Sequence, residues 1–328
     1  MEVVTMSYTI GIDLGGTNIV AAVVDADFRI AAKASCKTNL PRTADEVADD
    51  MVRMSRQAAQ QAGIQFEEIS SIGIGSPGTV NPMTGRIEYS CNFDFYDVPM
   101  AELIERRTGK SCRIENDANA AAWGEYLVGA GRGTKTMVAI TLGTGIGGGV
   151  ILDGKIYSGF NCSGAELGHT VIVLDGRQCA CGRKGCFEAY SSATGLIKTT
   201  QETMQRCPDS KLWTFAPSLD RVNGRTAFDA MRAGDEAGER VVQEYIRFLA
   251  CGLTNIVNSF QPEILCIGGG LSREGDTLIQ PVAEIISRED YARYSKRRTK
   301  VVAAQLGNDA GLIGAALLEK ADQSNPLS

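Results

Sequence analysis

Two stretches of this chain, IGIDLGGTNIVAAVVDA from Ile10 to Ala26 and VAITLGTGIGGGVILDG from Val138 to Gly154, are one pattern used twice. Each reads as a buried apolar strand, a tight turn of glycines and hydroxyl or amide side chains, and a second apolar strand. In the first copy these fall at Tyr8–Ile12, Asp13–Asn18 and Ile19–Val24, closed by a turn at Asp25–Asp27. In the second they fall at Met137–Ile140, Thr141–Gly145 and Gly149–Leu152, closed by Asp153-Gly154. A duplicated strand-turn-strand implies two related domains, each offering backbone N–H groups and a threonine hydroxyl to phosphate. Gly15, Gly16, Thr17 and Asn18, with Thr141, Gly143, Thr144 and Gly145, are therefore the expected phosphate contacts. Asp13 would hold magnesium through water, since Mg2+ keeps several waters and takes one or two carboxylates.

Two common nucleotide motifs are mimicked and fail on context. Gly143-x-Gly145-x-x-Gly148 has dinucleotide-fingerprint spacing, but Gly149–Leu152 continues as a strand where that motif requires a helix. Gly109-Lys110-Ser111 ends like a Walker loop, but Ile104 stands where its first glycine belongs. Two phosphate hairpins facing each other across a central cleft instead resemble the actin, hexokinase and heat-shock ATPase fold. That fold is an α/β, duplicated ribonuclease-H-like architecture. The expected division is residues 7–118 plus 310–328 for the first domain and 119–309 for the second.

The stretch Glu166–Glu188, ELGHTVIVLDGRQCACGRKGCFE, holds His169, the single histidine of the chain, together with Cys179, Cys181 and Cys186. One imidazole and three thiolates make a closed tetrahedral ligand set for structural zinc, and Gly176, Gly182 and Gly185 let the backbone wrap an ion. Four protein ligands leave no open position, so such a zinc organises its loop without doing chemistry. Glu166 and Glu188 flank the ligands, and the free ring nitrogen of His169 would carry a proton to donate. Two acceptors and a donor held rigidly suit a ligand with several hydroxyls.

E-x-G-H followed by C-x-C-G-x-x-G-C-x-E resembles the signature of the ROK family of repressors, open reading frames and sugar kinases, and FEAYSSATGLIKTT after the last cysteine is similar to the bacterial glucokinase branch. The resemblance implies phosphoryl transfer from ATP to the 6-hydroxyl of a hexose, glucose first, with fructose or N-acetylmannosamine as alternatives. It implies that Asp117, in IENDANAAAWGE, is the general base and that Asn92, in YSCNFDF, contacts sugar. Asp or Asn at that strand–helix junction also suits a helix cap, so capping and catalysis can be divided between Asp117 and Asn119. Asn116, Glu166, His169 and Glu188 would grip ring hydroxyls. Gly78 and Thr79, in GSPGTVN, would bring backbone close to the ligand. Sugar-responsive repressors of the family carry a helix-turn-helix ahead of the first hairpin. Only about seven residues precede that strand here, so a DNA-binding helix pair is not expected. A regulator without catalysis is disfavoured by Asp117 and both hairpins.

Elsewhere, Thr43-Ala44-Asp45-Glu46 is a capping box opening a helix to about Ala62, with Gly63 ending it. Ile69–Ile74 reads as a strand, Gly195–Cys207 as a short helix and Pro208–Arg225 as an irregular connection. Asp235–Phe260 is a long amphipathic helix. Ile264–Ile267 is a buried strand running into Gly268-Gly269-Gly270, where Gly269 and Gly270 would let adenine or ribose approach the backbone. Val301–Ala303 reads as a strand, and a helix over Ala310–Lys320 would return to the first domain. No apolar run reaches the ~20 residues of a membrane span, and MEVVTMSYT lacks a basic n-region. Met1 and Met6 are both possible starts. Ten cysteines without a disulfide pattern fit a reducing cytoplasm, and a net charge of -6 argues against nucleic acid as partner. The expected partners are glucose and ATP, in a homodimer or higher homo-oligomer.

Overall fold

The computed structural model describes residues 8–322. Met1, Met6 and the outer ends of the expected first domain lie outside the described residues. The strands are β1 Tyr8–Leu14, β2 Asn18–Val24, β3 Ile30–Lys37, β4 Ile69–Ser76, β5 Thr79–Asn81, β6 Arg86–Ser90, β7 Phe95–Val98, β8 Ser111–Asn116, β9 Met137–Leu142, β10 Ile146–Leu152, β11 Lys155–Ile156, β12 Ile264–Gly268 and β13 Lys300–Ala303. One five-stranded sheet has the order β3-β2-β1-β4-β8, another has β11-β10-β9-β12-β13, and β5-β6-β7 form a small third sheet. In the first sheet β2 pairs antiparallel with β1 and β3, while β4 pairs parallel with β1 and β8. In the second, β10–β11 is antiparallel and β12–β13 parallel. The same strand order appears twice, each time starting from one of the repeated hairpins. This is the duplicated ribonuclease-H-like α/β fold that the repeat implies.

The chain divides into two compact units. One holds residues up to 139, 149–165 and those from 305 onward, and the other holds 140–148 and 166–304. The expected boundary at 118/119 does not coincide with this division. The helix Asp117–Val128 stays with the first unit because its small residues let backbone meet backbone. A Cβ on Gly314 would collide with the Ala120 carbonyl oxygen, and one on Gly124 would collide with that of Ala310. The helix Ala310–Ala316 thus lies directly on Asp117–Val128. Its other side rests on the sheet, where Gly11 of β1 and Gly73 of β4 are register partners and a Cβ on either would strike the Leu312 or Ala315 carbonyl. Trp123, 2% exposed, donates its indole Nε1–H to the Leu317 carbonyl at 3.0 Å. The helix expected to run to Lys320 is interrupted: it ends at Ala316, and a second short helix covers Glu319–Asp322, with the Lys320 N–H donating to the same Leu317 carbonyl at 3.0 Å.

Other elements follow local rules. Thr43 caps the helix Ala44–Gln61 with the full capping box, and Gly63 leaves it at φ 71°. Asp153 and Gly154 both take positive φ, 50° and 77°, as a tight hairpin requires. Ser192 caps Ala193–Arg206 and Asp235 caps Glu236–Phe260. The connection expected to be irregular contains the short helix Leu212–Phe215 and a 3-10 turn at Leu219–Arg221. Among the described residues no helix is long and apolar enough to cross a membrane.

Replacing Gly314 with alanine should therefore destabilise the protein by about 3 kcal/mol or more, because backbone rather than a flexible side chain blocks the new methyl. Gly311 in the same helix has nothing within 4 Å of its added Cβ. Gly311→Ala should be stabilising by roughly 0.5–1 kcal/mol. Thermal and denaturant unfolding of the two variants would check the contrast.

Candidate active site

In the first unit the carboxyl ends of parallel β1, β4 and β8 are in register. Asp13 lies opposite Gly75, Gly75 opposite Glu115, and Ser76 opposite Asn116. Open α/β sheets keep functional groups at this edge. The turn after β1 is closed by the Gly15 N–H donating to the Asn18 carbonyl at 3.0 Å. Thr38, fully buried, holds it from outside: its Oγ1 donates to the Gly15 carbonyl at 2.7 Å and its N–H to the Thr17 carbonyl at 3.0 Å. Thr17 and Asn18 are exposed. Gly16 lies beside Asn92, whose Nδ2 would stand 3.6 Å from a Cβ there. Gly78 sits at φ 100° against Tyr89 and Ser90, and Ser163 Oγ lies 3.4 Å from Thr79 Oγ1.

The cap of the helix Asp117–Val128 is Asn116, neither Asp117 nor Asn119. Asn116 Oδ1 accepts from the Ala118 and Asn119 N–H groups, at 2.9 and 3.2 Å, and its Nδ2 donates to the Gly78 carbonyl at 3.1 Å. Buried Glu115 sets this junction from behind, since its Oε1 accepts from the Asn116 N–H at 2.9 Å and from Asn119 Nδ2 at 3.0 Å. With capping handled by Asn116, Asp117 Oδ1 accepts from the Ala118 N–H at 2.8 Å. It stays open to solvent, as a reacting group must.

Two carboxylates share this edge. Asp117 is crowded by protein even though solvent reaches it, and desolvation raises its pKa against the opposing bonds from backbone N–H groups. Burial first, and the charge of Asp117 second, push Asp13 up to about 6. An edge that strains to hold two anions is one that a cation would relieve.

The second unit carries the other predicted group. The turn after β9 is closed by the Gly143 N–H donating to the Gly145 carbonyl at 3.0 Å. The Ala193 N–H donates to the Gly143 carbonyl at 2.9 Å and Thr194 Oγ1 to the Thr144 carbonyl at 2.8 Å. Gly269, at φ 86°, packs on the Leu142 backbone so closely that a Cβ would lie 2.6 Å from its N, which brings Gly269 and Gly270 beside the turn that follows Thr141. Glu188 Oε2 accepts from the Ile146 N–H at 2.8 Å. The ligand atoms of His169, Cys179, Cys181 and Cys186 all lie within 4.8 Å of one another and could hold a metal ion. Cys179 Sγ is 3.7 Å from His169 Nδ1, and Cys181 Sγ is 3.7 Å from Cys186 Sγ. The His169 N–H donates to the Glu166 carbonyl at 3.1 Å, which fixes that glutamate next to the ligand turn.

Thr38, Glu115, Ala193 and Thr194 support the site and were not foreseen. Thr38 is a single hydroxyl with no motif around it, and Ala193 and Thr194 stand inside FEAYSSATGLIKTT, where the family resemblance named the stretch but no role for either residue. Glu115 falls on the polar side of the alternation through Ser111, Cys112, Arg113 and Ile114, so its burial carried no local signal.

A family model described as ROK family matches residues 9–322. A glucokinase of Thermotoga maritima is 38% identical over 313 residues, covering 95% of this chain and 96% of that protein. A glucokinase of Streptomyces coelicolor is 36% identical over 318 residues, covering 96% and 98%. Among solved structures, a ROK family glucokinase from Streptomyces griseus in complex with glucose and AMPPNP superposes with a TM-score of 0.81 at 35% identity, covering 97% of this chain and all of that one.

The raised pKa of Asp13 has a signed consequence. The fold favours its neutral form, so its contribution to stability is present below the ordinary value of 3.8 and is lost as pH rises through about 6. Asp13→Asn should therefore raise the Tm of the ligand-free protein above about pH 7. The difference from the unmodified protein should shrink as pH falls through that window, measured by thermal unfolding across pH.

Proposed function

The chain belongs to the ROK family, and from that premise we propose that it transfers the γ-phosphoryl group of ATP to the 6-hydroxyl of glucose, with Asp117 as general base. The observation that carries this reading is the solvent-open Asp117 carboxylate, released from capping duty by Asn116 and set on the strand edge that also bears Asp13. Likeness to glucokinases along nearly the whole chain supports glucose as the acceptor.

Phosphoryl transfer needs an aimed hydroxyl, an acceptor for its proton and stabilisation of charge on the phosphate. Asp117 accepts the proton late, when bond making has acidified the hydroxyl. Gly15, Gly16, Thr17 and Asn18, with Thr141, Gly143, Thr144 and Gly145, offer N–H and hydroxyl donors to the phosphates, and Gly269 and Gly270 admit the nucleoside. Asp13 would hold Mg2+, and the ion's charge would relieve the repulsion between Asp13 and Asp117. Asn92, Asn116, Gly78, Thr79, Glu166, His169 and Glu188 bind the sugar. Asn116 keeps one amide hydrogen for this after bonding to Gly78.

His169, Cys179, Cys181 and Cys186 fit zinc. A tetrahedral ion with Zn–S bonds of about 2.3 Å has S···S edges of about 3.8 Å, and the Cys181–Cys186 separation is 3.7 Å. When bound, the ion neutralises the thiolates that bind it and ties the two ends of the loop together. All four positions are filled by protein, so it takes no part in the transfer. We assign the protein to the cytoplasm, where its ten cysteines, all free of disulfides, would stay reduced, and we expect it to act as a homo-oligomer.

Steady-state kinetics with glucose, mannose, fructose, N-acetylglucosamine and N-acetylmannosamine would test the substrate, with glucose expected to give the highest kcat/KM. A clear preference for another sugar would overturn glucose and leave the reaction type standing. Asp117→Ala should lower kcat by roughly a thousandfold while glucose binding, read by calorimetry, persists. Equal loss of binding would sink the assignment of Asp117 as base. Because desolvation raises the Asp117 pKa, the acid limb of the kcat profile should lie above the ordinary carboxylate value of 3.8. Dialysis against a strong chelator should release stoichiometric zinc and lower the Tm, with recovery on adding zinc back.

A further inference from the structure

Glu188 connects the metal-binding loop to the phosphate turn. Its Oε2 accepts the Ile146 N–H at 2.8 Å, and its Oε1 lies 3.7 Å from Cys179 Sγ, one of the four ligand atoms. The carboxylate also packs so tightly on Gly145 that any Cβ there would collide with Oε2. The loop touches the same turn from its other arm, since a Cβ on Gly168, next to His169, would lie 2.5 Å from the Ile146 carbonyl oxygen. The two arms are joined by the Phe187 N–H donating to the Thr170 carbonyl at 2.7 Å. Phe187 itself is fully buried against Gly252 of the long helix Glu236–Phe260. Just beyond Glu188, Ala193 and Thr194 bond to the Gly143 and Thr144 carbonyls. Every residue of the turn from Gly143 to Ile146 is therefore bonded to or packed against the segment that carries or immediately follows the ligand loop.

We propose that Glu188 is a positioning residue for the phosphate-binding turn, through which the bound metal sets the affinity for the nucleotide phosphates. This rests on the kinase reading above and adds to it a role distinct from sugar binding. A backbone N–H captured by a carboxylate is a strong, charge-assisted bond, and here it fixes the orientation of the amides preceding and following it in a glycine-rich turn. With the four ligands clamped, Glu188 is held at the turn. With the ligands released, the short helix Glu188–Ser191 loses the tether on its N-terminal side and the turn loosens. Coupling of this kind is reciprocal, so nucleotide should in turn tighten metal binding.

The test measures binding of a non-hydrolysable ATP analogue with no sugar present, so that loss of sugar contacts cannot contribute. The unmodified protein with and without metal is compared with Glu188→Gln and Glu188→Ala, each also with and without metal. Stripping the metal should weaken analogue binding by about tenfold in the unmodified protein. Glu188→Ala should weaken it similarly and leave little further effect of metal. Glu188→Gln, which keeps a neutral acceptor for the Ile146 N–H, should fall between them while metal content stays full. Hydrogen exchange at the Ile146 amide, faster after metal removal in the unmodified protein, gives a readout that needs no variant. Unchanged analogue affinity on metal removal, or additive losses from metal removal and Glu188→Ala, would overturn the coupling. Failure of the unmodified protein to bind the analogue at all would overturn the kinase reading, and this inference with it.

Discussion

The closest approach in the first unit is backbone against backbone. The helix Ala310–Ala316 lies directly on Gly11 and Gly73 of the parallel strands β1 and β4 on one side, and on Ala120 and Gly124 of the helix Asp117–Val128 on the other. Packing this tight tolerates no added methyl at the crossing points, and it uses a helix near the end of the chain to lock elements from its first and middle parts. The low side-chain bulk of DANAAAWG is explained by this demand. Gly149 of β10 presses on the same helix at Ala122 and Ala118, so the helix is confined on a further side.

That confinement serves the junction at which the helix begins. Asn116 caps it, Glu115 holds Asn116 and Asn119 from inside, and Asp117 is left exposed, with its Oδ1 accepting from the Ala118 N–H. A carboxylate placed beside a second one, Asp13, with both raised by desolvation, is costly for an empty protein and useful to one that binds a cation and a polar substrate.

In the second unit the order is reversed, and the polar parts hold one another. Three bonds from Glu188, Ala193 and Thr194 support the turn after β9, while Gly269 closes against Leu142. In the first unit Thr38 provides the corresponding brace through its bonds to Gly15 and Thr17. The repeated hairpins are thus braced by unrelated residues, so the repetition visible in the strands and turns does not extend to what supports them.

Sequence alone determined what depends on neighbours along the chain. The two hairpins, the Thr43 capping box, the long helix from Asp235 and the His169, Cys179, Cys181, Cys186 ligand group all lie within spans short enough that spacing and residue type express the geometry. Tertiary structure alone decided which of Asn116, Asp117 and Asn119 caps the helix at Asp117, what holds the Trp123 indole, and what Glu188 touches. Those outcomes rest on pairs such as Trp123 with Leu317, Asn116 with Gly78, and Glu188 with Ile146. Each pair joins segments tens to nearly two hundred residues apart in the chain. A hydrogen bond between such segments exists only once packing has brought them within about 3 Å, and no local pattern of residues records that distance.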